Sequence, residues 1–252
     1  MKTSFFTTTA DYFVVLSVIC LGLVTWAIAK TVKSNTHLNP RGHWRFLFVI
    51  SIWITIISSL ALSGFFSDFS TLPPRLLMAP LIPIISITLV TLFGKLDNLL
   101  KQVPPSWIMY LQTFRLPVEI LLWILFVQKL LPAQMTFEGR NWDILVGLTA
   151  IPASFFCFGQ NRFKTSFAIA WNIGGLLLLL NIVTIAVLSM PTPFRVFMND
   201  PANEIVATFP FVLLPGILVP LAFSLHVLSL RQVFLLKKEG AASRLQNHLA
   251  KG

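Results

Sequence analysis

The chain has 252 residues, of which 56% are hydrophobic and 11% charged, with a formal net charge of +10. Soluble domains carry about 25% charged residues, so a water-soluble core is excluded. The long apolar runs exclude a membrane barrel, whose strands alternate apolar and polar residues over about 10 positions. Helices satisfy their own backbone hydrogen bonds in lipid and an open sheet does not. The expected class is all-α: a polytopic membrane protein of seven transmembrane helices in a single transmembrane domain.

The first apolar segment is Tyr12–Ala29. Ala27-Ile28-Ala29 imitates a cleavage site, but the apolar run is longer than the usual 7–15 residues of a signal peptide. Lys30, Lys33, Arg41 and Arg45 follow it, so it is read as a retained span. The second segment is Trp44–Gly64, with Ser51, Thr55 and Ser58 at helical spacing. Such hydroxyls bond their own backbone or a neighbouring helix. The third is Arg75–Gly94.

The fourth segment, Ser106–Lys129, carries the conspicuous chemistry. Arg115 and Glu119 are one helical turn apart and share a face, and Gln112 extends the stripe. By helical rise Arg115 lies about 14 Å from Ser106, near the expected bilayer midplane. A charge there costs at least about 2.5–3.5 kcal/mol and marks a functional position by default. Glu119 is the nearest partner along the chain, and Pro117 between them removes a backbone donor.

The fifth segment is Ile144–Gly159, the shortest, and the sixth is Ser166–Met190. Asn172 and Asn181 lie nine residues apart on the sixth, on opposite faces, so both cannot line one central cavity. Gly174-Gly175 permits close helix approach. The seventh segment is Ile205–Leu236, and Pro210, Pro215 and Pro220 recur along it. That spacing predicts a bent or broken stretch, tolerated where protein or water satisfies the backbone. His226, on the same segment, is a candidate proton-transfer group or ligand. The loops Thr136–Asp143 and Asn199–Glu204 fall on one side, where Arg140 or Arg195 can meet their acids, and Trp142 is expected at the interface.

Charge sets the orientation. The first, third and fifth loops and the tail hold Lys30, Lys33, Arg41, Arg45, Lys95, Lys101, Arg162, Lys164, Arg231, Lys237, Lys238, Arg244 and Lys251, against Asp97 and Glu239. The other side holds Lys2, Arg75, Lys129, Arg140 and Arg195, against Asp11, Asp68, Glu138, Asp143, Asp200 and Glu204. Basic short loops stay cytoplasmic, so the N-terminus is expected outside and the C-terminus inside, most simply in a cell (inner) membrane. The net charge then reads as contact with anionic lipid head groups rather than with nucleic acid.

The third and seventh segments align without a gap. Thr71-Leu72-Pro73, Leu76-Leu77, Leu81, Pro83 and Val90 match Thr208-Phe209-Pro210, Leu213-Leu214, Leu218, Pro220 and Val227. Asp11, Val14, Leu16, Ser17 and Ile19 match Asp143, Val146, Leu148, Thr149 and Ile151 more weakly. These matches predict a parallel internal repeat in a 3+1+3 plan. The first three-helix unit would span 11–95, a linker helix 104–131, a second unit 143–236 and a cytoplasmic tail 237–252. Parallel repeats recur in transporters. The chain resembles the sugar-exporter (SWEET) and PQ-loop proteins at the level of that plan. It has no Pro-Gln dipeptide, so no residue and no substrate carries over.

Cys20 and Cys157 lie within apolar segments and read as small buried residues. The four histidines, His37, His43, His226 and His248, leave one inside a span. That is too few for the ligand sets of seven-helix membrane hydrolases, so neither a metal nor a cofactor is expected. No Walker loop, His-Glu-x-x-His, Gly-x-Ser-x-Gly or dinucleotide fingerprint occurs. The seventh segment has no lysine before Lys237, which excludes a retinal Schiff base. The expected function is transporter-like handling of a small polar or anionic solute through Gln112, Arg115, Glu119, Asn181 and His226. The alternatives are a receptor or accessory subunit that binds a membrane partner and, third, a membrane enzyme.

Overall fold

The computed structural model describes the backbone of residues 4–159 and 163–249 and the side chains of residues 6–159 and 163–239. Lys2, Arg162, Arg244, His248 and Lys251 lie outside those side chains. Among the described residues every regular element is helical. In order they are α1 (Ser4–Ser34), α2 (Gly42–Leu62), α3 (Met78–Leu92, entered through a 3-10 turn at Arg75–Leu77) and α4 (Asp97–Gln102). Then follow α5 (Pro105–Val127), α6 (Ile144–Phe158), α7 (Thr165–Leu188) and α8 (Val219–Leu249, entered through a π turn at Leu214–Leu218).

Six of these helices are long and apolar enough to cross a membrane, which fits a helical membrane protein. The fifth segment differs: α6 has 15 residues, about 22 Å by helical rise, against a hydrocarbon core of about 30 Å. The seventh differs at its start. Ile205–Ala207 is a 3-10 turn and regular helix begins beyond Pro210, because proline cannot donate into a helical ladder. The interruption expected from Pro215 and Pro220 takes the form of the π turn. There the Gly216 carbonyl, which faces Pro220 and so no N–H four residues on, accepts from Trp53 Nε1 at 2.9 Å.

Helix ends follow local chemistry. Pro105 occupies the first turn of α5, where its missing N–H costs nothing. Gly94 ends α3 at φ 67°. Lys95 N donates to Val90 O and Gly94 N to Thr91 O, the paired bonds of a glycine-closed C-terminus. Lys129 closes α5 in the same way, with Leu130 N on Leu125 O and Lys129 N on Phe126 O, at φ 57° and without glycine's freedom.

α8 is the centre of the bundle. It packs on α7, α3, α5 and α4, and its π turn touches α1 and α2. Its apolar span is the most buried of the six and that of α2 the least. The main core joins Phe13, Ile57, Leu76, Leu125, Phe211 and Leu218, with Phe13 edge-on to Phe211 at 5.3 Å. Burying large apolar side chains contributes roughly 1.5–3 kcal/mol each.

Candidate functional site

Residues 136–143 lead into α6, which begins at Ile144. Instead of lying in an outer loop, they run alongside α5 toward its middle. Three side chains of α5 on one face meet them in turn. Trp123 Nε1 donates to Glu138 Oε1 at 2.7 Å. Asn141 Nδ2 donates to both Glu119 oxygens, at 2.7 and 2.6 Å. Arg115 donates from Nε to Asp143 Oδ2 at 2.6 Å and from Nη2 to Asp143 Oδ1. Residues 115, 119 and 123 repeat every helical turn, so a segment of successive turns can meet them one after another along the helix.

The descent is held locally. Asn141 Oδ1 accepts from Asp143 N at 3.0 Å and Asn141 Nδ2 also reaches Met135 O at 3.1 Å. Thr136, Asn141 and Asp143 are buried. α6 then starts at the level of Arg115. Gly147 lies against Leu116, and Ser154 Oγ donates to Ser106 O at 3.2 Å near the other end of α5. The fifth segment is therefore a short helix, approached by a run of turns that lies along α5.

The expected pairing of Arg115 with Glu119 is corrected. The guanidinium is engaged by Asp143, and Glu119 forms no ion pair among the described residues. A helical neighbour shares a face, but the fork of an arginine is matched best by a carboxylate that meets it edge to edge, and Asp143 does so. Asp143 therefore also leaves the outer-loop acid count.

The network continues across the bundle. Arg115 Nη1 lies 2.9 Å from His226 Nε2, and His226 Nδ1 lies 2.9 Å from Asn172 Oδ1. Arginine offers only donors, so Nε2 accepts and the ring is the Nδ1–H tautomer donating to Asn172. Asn172 Nδ2 donates to Ser229 Oγ at 3.0 Å and Ala168 O at 2.8 Å. With each ring nitrogen already bonded, His226 is a spacer between Arg115 and Asn172. Gly175 makes room for it: a methyl group there would overlap the imidazole.

The other expected site residues separate from this chain. Gln112 Nε2 donates to Ala222 O on α8 at 3.1 Å, while its Oε1 is buried without a partner. Asn181 donates to Arg140 O at 2.9 Å, near the outer loops. Thr55 bonds Ser51 O on its own helix at 2.9 Å. In the outer loops, Arg195 caps Phe197 O at 2.8 Å and Asn199 O at 2.7 Å, and meets Asp200 at 3.6 Å. The guanidinium of Arg140 lies over Phe197.

Arg115, Glu119 and Asp143 share the wall of one cavity of about 90 Å³. It is otherwise lined by apolar residues of α3, α5, α7 and α8 and by Asn203. Asn203 is fully buried, and its Oδ1 has no partner. Its neighbours Ala202 and Glu204 line a wide, open recess of about 1120 Å³, with Asp68, Lys129, Thr192, Arg195 and Asp200. At the opposite end α4 is strapped to α8. Arg231 donates to Asp97 at 2.9 and 2.7 Å, and Gln232 Nε2 reaches Leu100 O and Val103 O, both at 2.6 Å. Arg231 holds the Asp97 carboxyl below the usual carboxylate range.

Asp143, Asn141 and Asn203 are the residues that a reading of the chain assigned to ordinary loops. One signal for Asp143 was present. A mid-helix arginine needs an acid, and few of the nine acids adjoin an apolar run.

No curated protein and no solved structure matches the chain. Residues 73–234 match a family model described as a domain of unknown function (DUF8737). That stretch covers the whole network from Arg115 to Ser229, and the chain belongs to this family.

Proposed function

We propose that the chain is a transporter-like membrane protein that moves a small polar solute through the cavity beside Arg115. All seven segments cross the bilayer in this reading, the N-terminus outside and the C-terminus inside. The fifth crosses as a half-helix with its N-terminus near the midplane. Irregular backbone at that depth is tolerated where protein surrounds it, and half-helices that end near the midplane are a recurring device of transporter sites. One observation carries the reading: three buried ionisable side chains lie on the wall of a cavity whose Asn203 adjoins a wide, open recess.

A 3+1+3 duplication remains part of the proposal. α1 packs on α2 as α6 packs on α7, which supports it. α7 packs along α8, whereas α2 and α3 are not a closely packed pair: α3 reaches α8 and α2 only the π turn before it, which counts against equal packing of the two units. The Thr-x-Pro match at residues 71 and 208 is its main support.

The test is accessibility. Ala222 lines the cavity and is buried, and the native Cys20 and Cys157 are buried. Ala222→Cys in the full chain, reconstituted in vesicles, is expected to react with a small water-soluble thiol reagent added from the recess side. No reaction in folded protein overturns the pathway and leaves a structural network.

A further inference from the structure

We infer that the solute of this cavity is a small amphiphile whose polar end is a primary ammonium, with Glu119 and Asn203 accepting its N–H groups. This rests on the cavity being a solute site and names the chemical class that fits it.

Counted as ionised groups, the wall holds two carboxylates against one guanidinium. Asp143 takes two hydrogen bonds from Arg115 and matches its charge. Glu119, 1% exposed, receives only the neutral amide of Asn141. A buried carboxylate without a cation is costly, and the cavity is where one can be supplied. Asn203 points to the same missing group. Its Nδ2 donates to Ala186 O at 3.0 Å and its backbone N to Ser189 O at 2.9 Å, which leaves Oδ1 buried and unpartnered. An amide oxygen in that state has lost its bond to water without gaining another. Both residues line the cavity; Glu119 has a neutral donor but no cation, and Asn203 Oδ1 has no donor.

Other solutes fit less well. An anion would meet two carboxylates and a guanidinium already bonded to one of them. An inorganic cation takes about six to eight oxygens, and most of this wall is hydrocarbon from Leu76, Pro80, Leu122, Ile182 and Leu218. An alkylammonium uses both parts: three donors at one end and a short chain against the apolar wall.

The full chain carrying Ala222→Cys is labelled in the presence of butylammonium, tetramethylammonium or butyrate, each against matched sodium chloride. Butylammonium is expected to slow labelling at least fivefold, and tetramethylammonium, which has no N–H, and butyrate are expected to have no effect. Adding Glu119→Gln is expected to weaken the butylammonium protection at least tenfold, and Asn203→Leu is expected to weaken it in a background that keeps Glu119. Equal protection by tetramethylammonium, protection by butyrate alone, or protection unchanged in both variants overturns the inference while the cavity reading stands. An introduced thiol that labels freely in all three salts also overturns it. A thiol that never labels overturns the cavity reading itself.

Discussion

Asp143 receives two hydrogen bonds from the Arg115 guanidinium, and this clasp joins the middle of α5 to the residue that precedes α6. Both side chains are buried. Removing one partner of a buried pair costs about 3–5 kcal/mol, because the other charge is stranded. Arg115→Ala is therefore expected to lower thermal stability sharply. Adding Asp143→Ala should restore part of the loss, and adding Glu119→Ala should not. Thermal unfolding of the three variants decides it. Rescue by Glu119→Ala alone would assign the pair wrongly.

Gly175 faces the His226 ring with no space for a methyl group. Gly175→Ala should push the imidazole off Arg115 and Asn172, at about 1–3 kcal/mol, the usual range for overpacking. In a His226→Ala background the same change should cost little, and a double-mutant cycle measures that non-additivity. Additive losses would mean that His226 moves aside freely.

Lys129 holds a left-handed conformation at φ 57° and is exposed. That conformation costs a residue with a Cβ roughly 1–2 kcal/mol, part of which glycine gives back in unfolded-state entropy. Lys129→Gly is expected to stabilise the protein by about 0.5–1 kcal/mol in equilibrium unfolding. A destabilised variant would show that the lysine side chain makes a compensating contact.

The strap at Asp97 predicts a pH dependence. Its carboxyl is held below the ordinary range by Arg231. The stabilisation is therefore present above the ordinary carboxylate value of about 3.9 and is lost as pH falls through the lower folded-state value. Asp97→Asn should reduce stability near neutral pH and converge with the wild type under acid. A constant offset between the two curves down to acid pH would remove the ion pair as its source.

Orientation is tested by a reporter. A fusion after Gly252 is expected to read cytoplasmic, and a tag before Met1 is expected to be reached from outside. An intracellular N-terminus would overturn the charge argument or the count of seven crossings.

Several features of this protein were local properties of its sequence. Apolar runs long enough for lipid determined the helices, and Pro215 with Pro220 determined the break that became the π turn at Leu214–Leu218. Arg115 stood out because an ionised group inside such a run demands a partner. Which partner was a tertiary matter. Glu119 is one turn away, but Asp143 arrives edge-on because residues 136–143 fold down beside α5. In the sequence those residues look like any polar outer loop, since nothing local records that Asn141 and Asp143 are withdrawn from water. Asn172 and His226 lie 54 residues apart, and Asn172 is linked to Arg115 only through the His226 ring seated against Gly175. Hydrogen-bond partners in a bundle follow which faces meet, and that is decided by packing across helices rather than by spacing along one.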